Sequence, residues 1–142
     1  MDSSQKPYKL LEHTADISIR VKAGDLKGIF KNAAWAIFDI MAAKQKKGRL
    51  PKKTIKIKQR AANKEELLIS WLNELLSLSA VKGLVFRKFS INNIGAGYLE
   101  AVAEGEDINS YKVNTEIKAA TFNGLLLEKS GSGWLAEVTF DV

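Results

Sequence analysis

The period of the apolar residues changes several times along the chain, and each change marks an element. Residues 8–11 and 17–21 alternate as strands do, with His13-Thr14-Ala15-Asp16 between them. Ala23-Gly24-Asp25 reads as a turn that offers Asp25 as a helix cap. Leu26, Ile29, Phe30, Ala33, Ile37, Ile40 and Met41 then recur at helical spacing, which predicts a helix over about residues 25–43. Trp35 and Asp39 lie off that stripe. Gly48 and Pro51 break the chain, and Ile55 and Ile57 alternate with lysines as in a half-exposed strand. Asn63-Lys64-Glu65-Glu66 has the form of a capping box. Leu67, Leu68, Trp71, Leu72, Leu75 and Leu76 follow it and predict a second helix over about residues 64–79. Beyond Gly83 the period is two, which predicts strands over 84–94, 98–106, 112–119, 125–128 and 134–142. Gly95-Ala96-Gly97, residues 107–110 and the Gly-Ser tip at 130–133 supply the turns. No internal boundary, heptad run or low-complexity tract interrupts this order. It predicts one α+β domain over residues 1–142, with a mostly antiparallel sheet and two main helices.

Charge changes the picture in one place. Residues 44–60 hold nine basic residues and no acid, among them Lys52, Lys53 and Lys56, whereas the rest of the chain carries a net charge of −3. Such a segment can face a polyanion or an acidic protein surface. It can equally be a solvated loop and edge strand kept soluble by its lysines. The aromatics do not interleave with it, which argues against a stacking platform for single-stranded nucleic acid. The polar N-terminus has no apolar stretch behind it, and no apolar run approaches spanning length. The expectation is a cytoplasmic protein with no membrane contact.

The chemistry available is narrow. Without cysteine there is no disulfide, zinc–thiolate site, iron–sulfur cluster or cysteine nucleophile. His13 is the sole histidine, so no multi-histidine metal site exists, and its parity with Ile17 puts it on the apolar side. Neither a phosphate-binding glycine loop nor a Gly-x-Ser-x-Gly elbow is present. Two aspartates remain. Asp16 precedes the run Ile17, Ile19, Val21, and Asp141 follows the run Trp134, Ala136, Val138, Phe140. Alternation puts each aspartate on the face opposite the buried one, and Val142 adds further oxygens beside Asp141. If the two strands are neighbours, carboxylates converge and repel one another unless a cation or a proton intervenes. Hard oxygen donors of this kind suit Ca2+ or Mg2+. On the predicted strand 112–119, Val113 and Ile117 mark the buried face, which leaves Glu116 and Lys118 on the polar one. Lys118 there is open to three readings: a structural ion pair, a phosphate contact or a charge-balancing group.

Several segments together resemble the archease family. They are His13-Thr14-Ala15-Asp16-Ile17, the helix from Asp25 with Ala33-Ala34, Leu67-Leu68 followed by Trp71-Leu72-Asn73-Glu74-Leu75-Leu76, Glu116-Ile117-Lys118-Ala119 with Thr121, and Phe140-Asp141-Val142. Ser18 stands where that family commonly has glycine, and Phe122-Asn123 where it commonly has an aromatic-histidine pair. The resemblance implies a small α+β protein related to strand-helix-strand-strand modules, which is not itself an enzyme. It implies an accessory factor for the RtcB-type RNA ligase that joins tRNA exons, one that promotes ligase guanylylation and repeated turnover, with tRNA or RNA a further candidate partner through the ligase complex. It further implies a divalent metal, calcium, held by Asp16, Asp141 and Val142, with Lys118 as the functional basic residue beside it. The alternative is an RNA-binding or general chaperone-like module acting through residues 44–60, for which Lys52, Lys53 and Lys56 are the candidate docking residues. A third reading, a two-aspartate hydrolase, is weak, since no nucleophile or base pairing is visible.

Overall fold

The computed structural model describes residues 6–11, 16–45 and 51–142. Strands β1 (Tyr8–Leu11) and β2 (Ile17–Ala23) pair antiparallel, and the last strand, β9 (Gly133–Asp141), pairs with the other side of β2. Strand β8 (Ala119–Ser130) closes this sheet in the order β1-β2-β9-β8. A second antiparallel sheet runs β4-β6-β5, from β4 (Lys52–Arg60), β6 (Tyr98–Asp107) and β5 (Leu84–Ile94). A short ribbon joins β3 (Ala42–Lys44) to β7 (Tyr111–Val113). Helix α1 (Leu26–Met41) packs on both β2 and β5 and so ties the two sheets together, while α2 (Lys64–Lys82) lies on β8 and β5. The architecture is α+β with antiparallel sheets, as the periods predict. Among the described residues no helix is long and apolar enough to cross a membrane.

Both helices start where their caps say they should. The Asp25 carboxylate accepts from the Gly28 N–H at 2.8 Å, and the Asn63 side chain accepts from the Glu66 N–H at 2.9 Å. Glu66 reaches back to the Ala62 N–H, one residue earlier than in the usual box. Helix α2 runs nearly a turn past the predicted end. Its last turn (Ala80, Val81, Lys82) is exposed and therefore invisible to apolar periodicity. Gly83 ends it at φ 64°, a left-handed conformation that a Cβ would strain. The core is one cluster. In it the buried Trp71 indole donates to the Phe30 carbonyl at 3.0 Å, joining the helices, and its ring meets Phe89 edge-on.

Two sequence expectations are corrected. Residues 112–119 do not form one strand. The ladder of β7 ends at Val113, residues 114–118 are irregular, and β8 begins at Ala119. The cause lies at the end of α1, where the Met41 carbonyl accepts from the N–H groups of Asn114 (2.7 Å) and Thr115 (3.4 Å). Those donors satisfy an orphan helix carbonyl instead of a strand partner. Val113, expected inside, is 50% exposed, whereas Ile117 is buried. The strand predicted over 125–128 extends across 119–130, with a break in register between Thr121 and Leu126 that hid its first half. Gly124, at φ 62°, takes the left-handed turn inside that break.

Among the described residues Glu106 is the one buried carboxylate, only 6% exposed. The Tyr111 hydroxyl donates to it, the Lys44 ammonium lies 3.3 Å away, and Lys52 opposes it across the β4–β6 ladder. It therefore faces two lysines of the basic segment, Lys44 and Lys52. The Tyr111 hydrogen bond, helped by Lys44 and Lys52 and opposed by burial, holds its carboxyl below the ordinary value of 4.5. A group depressed in this way stabilises the fold fully above its unfolded pKa, and the contribution disappears as pH falls through the folded value. Glu106→Gln is expected to cost about 1–3 kcal/mol at neutral pH. The gap to wild type should close on acidification below the ordinary carboxylate range, as denaturant titrations at a series of pH values would reveal. A gap independent of pH would contradict this account.

Candidate functional site

The β2–β9 ladder has two kinds of rung. Ile17, Ile19 and Val21 oppose Phe140, Val138 and Ala136 and fill the core. The intervening rungs form a polar column. Arg20 pairs with Glu137 at 2.6 Å, and Ser18 meets Thr139 through hydroxyls 2.7 Å apart. Ile17 opposes Phe140, so the next step of the same register opposes Asp16, just before β2, to Asp141, the last residue of β9. The column thus passes from opposite charges, through neutral hydroxyls, to like charges. Directly opposed like charges are destabilising, and a cation is the simplest remedy.

The register is held from both ends. Gly133 opens β9 so close to Ala23 that a Cβ would stand 2.5 Å from the Ala23 carbonyl. On the far side, Ala119 of β8 opposes Asp141, and the Lys118 N–H donates to the Asp141 carbonyl at 2.8 Å. Lys118 and Val142 therefore lie together, one step beyond the Asp16/Asp141 rung. The Lys118 side chain is exposed, and among the described residues it joins no ion pair, so the structural ion-pair reading finds no partner here. Asp16 is half-buried, and Asp141 and Val142 are exposed.

As a metal site the end of this ladder offers oxygen alone. Among the described residues no cluster of three or more His, Cys, Asp or Glu side chains occurs. The donors such a site would draw on are two carboxylates and the oxygens of Val142, while the Ser18 and Thr139 hydroxyls are occupied with each other. That set fits a hard divalent cation with water filling the remaining positions. His13 and Thr14 fall outside the described residues, as do Lys46, Lys47 and Arg49 of the basic segment.

Lys52, Lys53 and Lys56 all lie exposed on β4, the edge strand of the other sheet, and are not brought to the aspartates by the ladder. Lys52 and Lys58 face Glu106 and Glu100 across the β4–β6 register, but Lys53 faces Gly105 and Lys56 faces Val102. Lysines on an open edge discourage strand addition, and the two without an opposing acid are the ones left to attract a partner.

Two residues that position the site escaped sequence reasoning. Asn73 of α2 accepts from the Ala120 N–H at 2.8 Å and donates to the Ala120 carbonyl at 3.1 Å, fixing the start of β8 beside the Asp141 rung. Its signals were an amide set between Leu72 and Leu75 on an apolar stripe and its place in the Trp71–Leu76 motif. Ser18 is 2% exposed despite standing on the polar parity, because its hydroxyl is matched by Thr139. Asn123, in the irregular part of β8, is exposed, and its N–H bonds to Thr121.

Comparison with known proteins gives a consistent answer. The profile of the Archease protein family matches residues 8–142. The chain is 40% identical to a protein archease of Methanosarcina acetivorans over the full length of both. It is 35% identical to one of Pyrococcus abyssi, covering 96% of this chain and 99% of the other. The solution structure of Methanobacterium thermoautotrophicum protein 1598 superposes with a TM-score of 0.73 at 26% identity, covering 97% of this chain and all of that one. The crystal structure of a Thermotoga maritima archease, described as a possible chaperone, shares the fold with a TM-score of 0.68 at 21% identity, covering 94% and 96%.

The Ser18–Thr139 rung can be tested alone. Ser18→Ala, or Thr139→Val, strands one buried hydroxyl and should cost about 1–3 kcal/mol, whereas the double variant should cost less than the sum of the two. A double-mutant cycle by urea denaturation measures the coupling, and strict additivity would refute the pairing.

Proposed function

The chain belongs to the archease family, and on that premise we propose that it is a non-enzymatic accessory factor of an RtcB-type RNA ligase, raising ligase guanylylation and multiple turnover in tRNA splicing. The observation that carries the proposal is the antiparallel pairing of β2 with β9, whose register runs on to two aspartates of like charge. Asp16, Asp141 and a Val142 oxygen would hold a divalent cation, Ca2+ in preference to Mg2+. Bound there, the cation supplies positive charge where a ligase must neutralise a nucleotide triphosphate. Lys118, which joins no ion pair among the described residues, would balance that charge or contact a phosphate.

The proposal separates cleanly from a structural role. Asp16→Ala and Asp141→Ala should each remove Ca2+ binding by calorimetry while the melting temperature without metal stays at or above that of wild type. Unchanged Ca2+ and Mg2+ affinity in both variants would end the metal assignment. Mixing the protein with the RtcB-type ligase of its source, GTP and metal, and following guanylylation and multiple-turnover ligation, tests the partner.

Lys118→Ala should fold normally, because an exposed lysine contributes little to stability. It should nevertheless lose most of the stimulation, since one charge inside a closed interface can change a rate by about 10²–10³. A Lys118→Ala protein that stimulates like wild type would remove this residue from the site.

A second reading, an RNA-binding or chaperone-like surface, is favoured at one place, the open edge of β4 with Lys53 and Lys56 unopposed. Charge reversal at Lys52, Lys53 and Lys56 should slow docking to a ligase–RNA complex most at low salt. An association rate unchanged at low ionic strength would leave these lysines only their role in solubility.

A further inference from the structure

A cavity of about 460 Å³ opens between α1 and β5, lined by Lys31, Asn32 and Trp35 from the helix and Arg87, Lys88 and Ser90 from the strand. Three cations and no acid line it. Its central feature is a β-bulge. Phe86 opposes Gly105 and Lys88 opposes Glu104, which leaves Arg87 with no partner in the ladder. A bulge re-aims a side chain, and here the Arg87 guanidinium stands 5.4 Å from the Trp35 ring and 6.0 Å from the Tyr111 ring. Aromatic faces orient a guanidinium without consuming its donors. Among the described residues Arg87 forms no ion pair and no side-chain hydrogen bond, so its N–H edge remains available in a half-buried setting.

We propose that this cavity binds a phosphorylated nucleoside, either a free mononucleotide or the phosphate-bearing end of an RNA strand. A guanidinium positioned over aromatic rings keeps its fork of donors free and takes a phosphate in bidentate fashion, which a lysine cannot do. Lys31 adds a second cation, whereas Lys88 is partly offset by Glu104 across the ladder. The volume suits a ligand larger than a bare anion. The Trp35 ring, the Asn32 amide and the Ser90 hydroxyl supply the mixed apolar and polar wall that a nucleoside needs. This site shares no residue with the acidic end of the β2–β9 ladder and does not depend on the assignment made there.

Calorimetry on the full chain with AMP, adenosine, inorganic phosphate and a tetranucleotide RNA with or without a 5′-phosphate tests the proposal. AMP should bind at least about tenfold more tightly than adenosine or phosphate alone. The Lys31→Gln/Lys88→Gln double variant, confined to exposed side chains, should lose about tenfold in AMP affinity with an unchanged melting temperature, and Arg87→Gln should lose at least as much. Trp35→Phe should abolish any fluorescence change on binding. Tighter binding of the 5′-phosphorylated RNA than of AMP assigns the strand end, and equal or weaker binding assigns the free nucleotide. Adenosine or phosphate binding as well as AMP, unchanged affinity in the lysine double variant, or no binding of any probe at about 10 mM would overturn the proposal.

Discussion

The antiparallel register of β2 with β9 is the constraint on which the rest depends. It joins residue 17 to residue 140, so the first sheet cannot exist until nearly the whole chain has been brought round. Closing so long a loop costs entropy that local contacts do not return, and the compensation must come from apolar rungs and from what packs on them. Ile19, Val138 and Phe140 are wholly buried. Helix α1 lies on β2 and carries the same core across to β5, and α2 reaches the first sheet through β8. The acidic end of the ladder is therefore a product of the global fold. No fragment containing only Asp16 or only Asp141 could present both.

The polar column explains how that end is kept in register. A one-residue slip of β9 would put Val138 and Phe140 on the outer face and break both the Ser18–Thr139 and the Arg20–Glu137 pairs. Burying a hydroxyl is costly unless it is matched, so the Ser18–Thr139 rung penalises wrong registers more than it rewards the right one. From the other side, Asn73 fixes the first residues of β8 by acting as a substitute strand for Ala120. Specificity of position comes from these paired polar groups, while the bulk of the stability comes from the apolar rungs.

What could be read in the sequence was what depends on local period and local caps. Asp25 and Asn63 mark helix starts by residue type, and the change from helical to alternating spacing after Gly83 marks the strands. The parity of Asp16 and Asp141 was legible for the same reason. Features decided by a partner distant in sequence were not. The Met41 carbonyl ends the strand pattern after Val113, and no residue near 113 announces it. The bulge at Arg87 depends on β6, and the burial of Ser18 depends on Thr139. Lys118 remained exposed as predicted, but because the chain there hydrogen-bonds to Asp141, not because a regular strand runs through it.

A like-charged rung survives only where its cost is small, and the end of a ladder is such a place. Cross-strand repulsion of about 0.2–1 kcal/mol is tolerable at an end open to solvent, where water and salt screen it. One rung inward, at Ser18 and Thr139, the same two charges would be buried and the sheet would not form. The fold thus sets the acidic pair at the outermost position its register allows. A ligand that neutralises the pair would convert repulsion into cross-linking of the first and last strands. It would stabilise the whole chain by mass action, in proportion to the logarithm of its concentration over its dissociation constant. A cation bound there would therefore be coupled to the β2–β9 register itself.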